Sequence, residues 1–258
     1  MSVKLPIFHD LRTGRAIYEP MIAHGILASS TGGGKSTSAL HMSHCMAHHM
    51  LTTKGNDDRL LIFDYKRSVN WKELRGSQGY YAVDDCLTGF DQLYQIFRQH
   101  LSGEEPIGNR LYWVIFDEYS SFVESLEKKV KEDFLRRFAE MLRLSRELGD
   151  DGGGFRIWVL GQSVEAGQFG NTGVRGNFLQ RIVIGSVSVQ NLSMMFEEIE
   201  GDPIKPRSSA SGRGYYQLMG SNLKRIIFPL ETRRELVFRR LLTVMSRPLS
   251  YTSLVESS

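Results

Sequence analysis

Residues 30–37 read S-T-G-G-G-K-S-T, and the apolar residues 22–28 come directly before them. A short buried strand that leads into a glycine-rich turn and then a helix is typical of a loop that wraps the phosphates of a nucleotide. Glycine allows this wrapping because it has no Cβ to keep backbone N–H groups away from an anion. We predict a helix after the loop, and its N-terminus adds a dipole that favours negative charge.

The side chains of this loop have separate predicted roles. Lys35 can reach the β and γ phosphates, and the Ser36 hydroxyl can hold Mg²⁺. The loop departs from the usual pattern G-x-x-x-x-G-K-S/T because Ser29 stands where the first glycine would be. A glycine-rich turn that carries Lys-Ser by chance is the alternative interpretation. The predicted nucleotide-binding residues are Thr31, Gly32, Gly33, Gly34, Lys35, Ser36 and Thr37.

The composition allows one compact domain. Of the 258 residues, 41% are hydrophobic and 24% are charged, which is enough apolar material for a large core. We predict a single domain over residues 1–245, which begins with a strand or hairpin, and a loose tail over residues 246–258. The net charge of +3 permits an acidic polymer as a partner without demonstrating one.

Neither the cysteines nor the hydropathy indicate an exported or membrane protein. Cys45 and Cys86 are too few for a disulfide framework. No stretch approaches the length of an apolar membrane span, and the N-terminus lacks the apolar centre of a secretion signal. We therefore expect a cytoplasmic protein, and a place at the periphery of a membrane secretion complex stays open.

Apolar runs alternate with helical patterns along the chain. Runs bounded by turn residues predict buried strands at residues 25–29, 60–64, 111–117, 156–161 and 181–185. Apolar spacing of three to four residues predicts helices at residues 36–50, 90–101, 127–148, 188–200 and 231–245, and a hairpin is predicted at residues 214–229. Strands that alternate with helices predict a doubly wound α/β sheet.

Two carboxylates end the strand predicted at residues 111–117. Asp117 is placed to position Mg²⁺ through water, and Glu118 can polarise the water that attacks a γ phosphate. A solvated strand end is the alternative, but an acidic pair that follows a phosphate loop in the same sheet favours the catalytic interpretation. Gln162 ends the next strand, where it can sense the γ phosphate or orient the water; a turn glutamine that faces solvent is its alternative.

A histidine-rich stretch follows the phosphate loop. His44 and His48 are one helical turn apart, a spacing that can bind a metal ion. No carboxylate or cysteine pair lies nearby in sequence to complete such a site. We therefore expect these histidines to line a subunit contact or the surface.

Taken in order, several segments resemble the FtsK/HerA superfamily of DNA-pumping ATPases, and within it the FtsK/SpoIIIE-like proteins. Besides the phosphate loop, they are D-L-R-T-G at 10–14, L-I-F-D-Y-K at 61–66, R-E-L-G at 146–149, V-L-G-Q at 159–162 and G-R-G-Y-Y-Q-L at 212–218. The resemblance extends from about residue 7 to residue 229. The sequences of residues 64–67, 80–86 and 116–119 are similar to segments of FtsK-like proteins of conjugative elements.

The resemblance implies a RecA-like P-loop NTPase fold of the ASCE type, with a mainly parallel central sheet flanked by helices. It also implies an ATP-hydrolysing translocase of double-stranded DNA that works as a ring, expected to be a hexamer, in conjugative or plasmid DNA transfer. The implied cofactors are ATP and Mg²⁺, and relaxase or transfer-machinery proteins are expected partners. A DNA-packaging or segregation motor, and an ATP-binding assembly factor that pumps nothing, are the alternatives.

In such a ring an arginine from one subunit completes the ATP site of the next. The resemblance makes Arg146 the first candidate and Arg181 the second. A solvated helix charge that pairs with Glu147 or Glu140 is the alternative for Arg146. DNA contact is expected from the glycine-rich residues 162–180, where Arg175 can grip phosphate without reading bases, although a merely solvated arginine is as good an interpretation.

Overall fold

The computed structural model describes residues 4–20, 23–53, 57–145, 148–149, 153–162, 166–169, 172–186, 192–193, 195–196 and 211–249. The strands are β1 Lys4–Asp10, β2 Ala16–Pro20, β3 His24–Ser29, β4 Arg59–Asp64, β5 Tyr80–Ala82, β6 Leu111–Asp117, β7 Gly154–Gly161, β8 Phe178–Ile184, β9 Arg213–Leu218 and β10 Lys224–Ile227. The α-helices are α1 Lys35–Thr52, α2 Asp85–Ser102, α3 Tyr119–Ser125, α4 Lys128–Leu144, α5 Thr172–Arg175 and α6 Arg234–Met245, and 3₁₀ helices lie at Val69–Leu74 and Ala166–Phe169. Among these helices, none is long and apolar enough to span a bilayer.

The strands form one sheet in the order β2-β1-β10-β9-β8-β3-β7-β6-β4-β5. The six strands from β8 to β5 run parallel, and β9, β10, β1 and β2 extend the sheet with antiparallel pairs. The strand β7 lies between β3, which leads into the glycine-rich loop, and β6, which ends in the acidic pair. This order is the ASCE arrangement, so the predicted fold class, a RecA-like α/β sheet that is mainly parallel, is confirmed.

Apolar layers cover both faces of the parallel strands. Ile26, Phe63 and Phe116 pack on one face with residues of α2 and α4, whereas Leu27 and Ile62 pack on the other with residues of α1 and α6. Every residue of β3, β4, β6 and β7 is buried. Strands that are buried on both faces have continuous apolar sequences, which is why the sequence pattern located them.

Most predicted elements are confirmed, and the differences lie at short elements and ends. The predicted hairpin is the antiparallel pair of β9 and β10. The predictions missed β5 and α3, and α4 ends at Leu144 rather than at residue 148. Of the helix predicted at residues 188–200, only residues 192–193 and 195–196 lie within the described residues.

The first residues of the predicted tail contact the domain. The hydroxyl of Tyr112 donates a hydrogen bond to the carbonyl of Leu249 at 3.0 Å, and Nε of Arg59 donates to the carbonyl of Pro248. The Arg247 guanidinium donates to the carbonyl of Asp58 at 3.1 Å. The chain therefore stays attached to the body beyond residue 245.

Candidate functional site

The glycine-rich loop connects the end of β3 to the start of α1, and its backbone requires glycine. Gly32 and Gly34 have φ angles of 74° and 96°, in the left-handed region that side chains disfavour. A Cβ on Gly33 would lie 2.4 Å from the hydroxyl of Ser29. The structure thus gives these glycines two reasons of its own, backbone conformation and close packing, and the predicted approach of their N–H groups to an anion stays a prediction.

A pocket of about 350 Å³ lies over this loop. Six of the seven predicted loop residues line it, all except Gly33, together with the predicted Glu118 and Gln162. Asn70 and Ser211 also line the pocket, and the sequence did not indicate either residue. The fold thus brings the loop, the acidic strand end and the glutamine into one cleft, although they are far apart in sequence.

Asp117 is almost completely buried and has two distinct oxygen environments. Its Oδ2 accepts a hydrogen bond of 2.9 Å from the indole Nε1 of Trp71. Its Oδ1 accepts no hydrogen bond from the described residues and lies 3.4 Å from Nζ of Lys35. A buried carboxylate oxygen without a donor, close to the lysine of the loop that also carries the Ser36 hydroxyl, is the kind of ligand that Mg²⁺ prefers. The residues present therefore fit the predicted metal ion.

Glu118 begins α3 with a strained backbone and binds two lysines. Its φ and ψ are 60° and 39°, which is uncommon for a residue other than glycine. Oε1 accepts a hydrogen bond from Nζ of Lys35, and Oε2 accepts one of 2.7 Å from Nζ of Lys66. Burial opposes ionisation of this carboxyl, but the two lysines outweigh burial and lower its pKa. Glu118 is therefore an anion at neutral pH.

Gln162 follows the last residue of β7 and is exposed at the pocket. β7 pairs in parallel with β3, with Gly161 opposite Ala28, so the glutamine emerges at the same edge of the sheet as the phosphate loop. This placement is the one expected from the strand-tip pattern. Its role in sensing phosphate or orienting water stays a prediction.

Two of the three predicted arginines, Arg175 and Arg181, lie within the described ranges, and neither lines the pocket. Arg181 lies in β8 opposite Ile26, and its guanidinium donates to the carbonyls of Phe178 at 3.1 Å and Met195 at 3.0 Å. Arg175 ends α5 and is half-buried. Arg146 lies outside the described residues. Their proposed roles toward a neighbouring subunit or DNA stay predictions.

The structure adds site residues from the segment that follows β4. Lys66 contacts Glu118, Asn70 lines the pocket, and Trp71 holds Asp117. The only sequence signal for them was the D-Y-K ending of the strand, which entered the family resemblance without a role. Their positions depend on β4 lying next to β6, and a linear pattern does not specify that neighbour.

The histidine-rich helix α1 contacts α6 through a polar link. The guanidinium of Arg240 donates to Nε2 of His44 at 2.7 Å, so the Nδ1–H of that ring donates to Glu231 at 2.6 Å. Both ring nitrogens are thus occupied. Within the described ranges, no group of three or more histidine, cysteine or acidic side chains could hold a metal ion.

A comparison with curated proteins finds one FtsK-like relative. The FtsK domain-containing protein YdcQ of Bacillus subtilis (strain 168) is 24% identical over an alignment of 208 residues, which covers 75% of this chain and 40% of that protein. The chain thus spans less than half the length of this relative. A search of family models finds no match.

Solved structures with the same fold are ATPase domains. The pCW3 conjugation coupling protein TcpA, solved with ATPγS, superposes with a TM-score of 0.66 at 15% identity over 92% of this chain and 69% of that chain. The cytoplasmic domain of the type VII secretion ATPase EccC of Thermomonospora curvata gives a TM-score of 0.62 at 19% identity over 93% of this chain and 31% of that chain. The resemblance to FtsK/HerA-type ATPases and the P-loop ATPase fold are confirmed.

Proposed function

We propose that this FtsK-like chain is an ATP-hydrolysing motor that translocates double-stranded DNA, with a role in conjugative or plasmid DNA transfer. The observation that carries the proposal is the single pocket that collects Lys35, Glu118 and Gln162. Phosphoryl transfer to water needs charge neutralisation and alignment above all, and these three side chains supply a cation, a carboxylate and an amide in one place. The FtsK-like relative and the conjugation protein TcpA support the role in DNA transfer.

The described residues divide the work of hydrolysis. Lys35 binds the β and γ phosphates, and Glu118 accepts a hydrogen bond from the attacking water and so aligns it. Ser36 and Asp117 would hold Mg²⁺, which supplies neutralisation of phosphate charge when it is bound. Gln162 is placed to contact either the γ phosphate or the water. Because Glu118 is anionic and half-buried, it is ready to accept that hydrogen bond at neutral pH.

A second pocket, of about 360 Å³, adjoins the phosphate pocket and suits the rest of the nucleotide. The two pockets share Gly34, Thr37 and Ser211. The second pocket also includes the apolar side chains of Phe228 and Pro229. An apolar cleft next to a phosphate site is the usual environment of a nucleoside. We place the adenosine of ATP here.

The motor model requires neighbouring subunits and DNA. We propose a ring, expected to be a hexamer, in which Arg146 or Arg181 of one subunit approaches the ATP of the next. Arg175 is the proposed contact with DNA phosphate. TcpA is a conjugation coupling protein, which supports relaxase or transfer-machinery partners for a chain of this fold.

A second candidate function is an ATPase of protein secretion. The fold of EccC, a type VII secretion ATPase, favours it as directly as TcpA favours DNA transfer. An assembly factor that binds ATP without hydrolysing it is less favoured, because Glu118 lines the pocket in an ionised state. A DNA-packaging or segregation motor shares the proposed chemistry and differs only in its partners.

The experiment that separates these functions measures ATPase rate against protein concentration, with and without long duplex DNA. We expect turnover per subunit to rise with protein concentration, because subunits share sites, and to rise again with DNA. Equal turnover with and without DNA would contradict the DNA motor and favour secretion. Binding of ATP without hydrolysis at any protein concentration would favour the assembly factor.

A further inference from the structure

We propose that Lys66 is a positioning residue that holds the Glu118 carboxylate for hydrolysis, an inference that rests on the proposed ATPase function. The two oxygens of that carboxylate have different partners: Oε1 binds Lys35, and Oε2 binds Lys66 at 2.7 Å. Phosphate competes for Lys35, because that lysine belongs to the phosphate loop. Nucleotide binding therefore frees Oε1 for water, while Lys66 keeps hold of Oε2.

The turn that carries Lys66 is rigidly built. The backbone N–H of Arg67 donates to the carbonyl of Asp64 at 3.1 Å, and the N–H of Ser68 donates to Oδ1 of Asp64 at 3.0 Å. The other carboxylate oxygen of Asp64 accepts from the hydroxyl of Tyr80 at 2.9 Å. The Lys66 side chain is 49% exposed, but the backbone beneath it is fixed.

The same turn is connected to the strand and the helix on either side of Glu118. β4 pairs with β6 so that Asp64 lies opposite Asp117. The ring of Tyr65 packs against the ring of Phe122 in α3, with centroids 5.8 Å apart. Lys66 is thus fixed relative to both elements that carry the Glu118 backbone. This arrangement gives the ammonium a defined position from which to orient the carboxylate.

The orientation of the Glu118 carboxylate should have a measurable effect on the rate of hydrolysis. A glutamate side chain that is tethered only at its backbone samples several rotamers, and most of them point the carboxylate away from the reacting water. A misplacement of about 1 Å can slow a reaction by roughly 10²-fold. We therefore expect loss of the Lys66 ammonium to lower kcat while leaving the binding of nucleotide intact.

The test is steady-state ATPase kinetics of Lys66→Met, which keeps the length of the side chain and removes its charge. We expect kcat to fall by about tenfold or more and KM for ATP to change by less than about twofold, because the alignment of the water is lost and the phosphate loop is not. Lys66→Arg should restore most of kcat. Lys72→Met is the matched control, because it removes an exposed lysine from the same segment and should leave kcat unchanged.

A double variant shows whether Lys66 acts through Glu118. In a Glu118→Gln background, Lys66→Met should cause no further loss of kcat, because the carboxylate that it positions is absent. Additive losses, a rise of KM at constant kcat, or an unchanged kcat would each overturn the inference. Lys66→Gln, a second variant that removes the charge, is measured in parallel, and the unfolding midpoint of each variant shows whether it is folded. A wild-type chain that binds ATPγS but shows no turnover would overturn the proposed function and this inference together, whereas normal turnover in Lys66→Met overturns the inference alone.

Discussion

Among the described residues, two lysine–glutamate sites are alike in chemistry and differ in backbone. In the Glu118 site, formed by Lys35, Lys66 and Glu118, both carboxylate oxygens bind ammonium groups at the end of the parallel sheet. In the Glu19 site, Oε1 of Glu19 binds Lys224 and Oε2 accepts from the hydroxyl of Tyr216 at 3.1 Å. Each glutamate side chain is thus mostly buried and has a partner at both oxygens.

The difference lies in how each glutamate is held. Glu19 lies within the extended strand β2, and its partners lie in β9 and β10 of the same sheet, so regular strands carry all three residues. Glu118 has a left-handed backbone after a strand end, and one of its partners belongs to a loop that lines a pocket. Residues that have a strained backbone, and whose hydrogen-bond partners a ligand can displace, are typical of functional sites. We infer that the Glu118 site serves chemistry and that the Glu19 site serves stability.

The largest effect should come from removing the Lys35 ammonium. We expect Lys35→Ala to abolish hydrolysis, with a loss of at least about 10²–10³-fold in kcat, because one preorganised charge on a transition state is worth that much. ATPase assays and ATPγS titration measure the loss. Lys224→Ala removes the matching lysine of the Glu19 site and should leave kcat unchanged in the folded protein. Equal losses of kcat in Lys35→Ala and Lys224→Ala would contradict the distinction between the Glu118 site and the Glu19 site.

Glu118→Gln should separate binding from hydrolysis. The amide keeps the shape of the side chain but cannot serve as a strong acceptor for the water, so we expect a loss of about 10²-fold or more in single-turnover rate. Affinity for ATPγS should persist or rise, because Lys35 no longer pairs with the Glu118 carboxylate. A hydrolysis rate near the wild-type value would show that Glu118 resembles Glu19 after all.

Glu19→Gln should instead change stability. Lys224 loses the carboxylate of the buried Glu19, although the amide oxygen can still accept from Tyr216. We expect the free energy of unfolding to fall by about 1–3 kcal/mol, the usual cost of an imperfectly satisfied buried group. Urea unfolding measures it. A changed kcat below the unfolding transition would contradict the assignment of Glu19 to stability.

An element of the fold could be predicted when its own sequence defines it, and it was missed when its neighbours in space define it. The bounds of β6 were predicted without error, because a strand that is buried on both faces is apolar throughout. The three-residue strand β5 and the seven-residue helix α3 were missed, because such short elements depend on neighbours in space. Glu118, the residue before α3, has a left-handed backbone that helix propensity does not specify, and its side chain binds Lys35 and Lys66.

The proximity of the candidate site residues could be predicted where a motif fixes chemistry and spacing together, whereas their roles stay predictions. Lys35, Glu118 and Gln162 follow predicted strands, and the parallel sheet collects strand ends at one edge, so their meeting was foreseeable. Lys66 and Trp71 were not assigned roles, because each acts through a neighbouring strand rather than through a motif of its own.

Ser29 belongs to the buried strand β3 and also lines the pocket, so both the stability of the fold and the binding of nucleotide can depend on it. Its hydroxyl donates to the carbonyl of Ser30 at 2.9 Å and occupies the space beside Gly33. The hydroxyl is therefore used inside the loop, so we expect Ser29→Gly to change ATPγS affinity by less than about threefold, which is under ~1 kcal/mol. Stability should fall by about 0.5–1 kcal/mol, the backbone cost of glycine in a strand.

Ser29→Ala separates the two contributions, because it removes the hydroxyl and keeps the Cβ. Isothermal titration with ATPγS and urea unfolding of both variants measure affinity and stability side by side. If Ser29→Gly raised affinity many-fold and Ser29→Ala did not, the Cβ would be the group that restricts the loop, and the serine would mark a weakened phosphate site. If both variants match the wild type in affinity, Ser29 belongs with Glu19 among the residues that serve the fold, although it stands next to the chemistry.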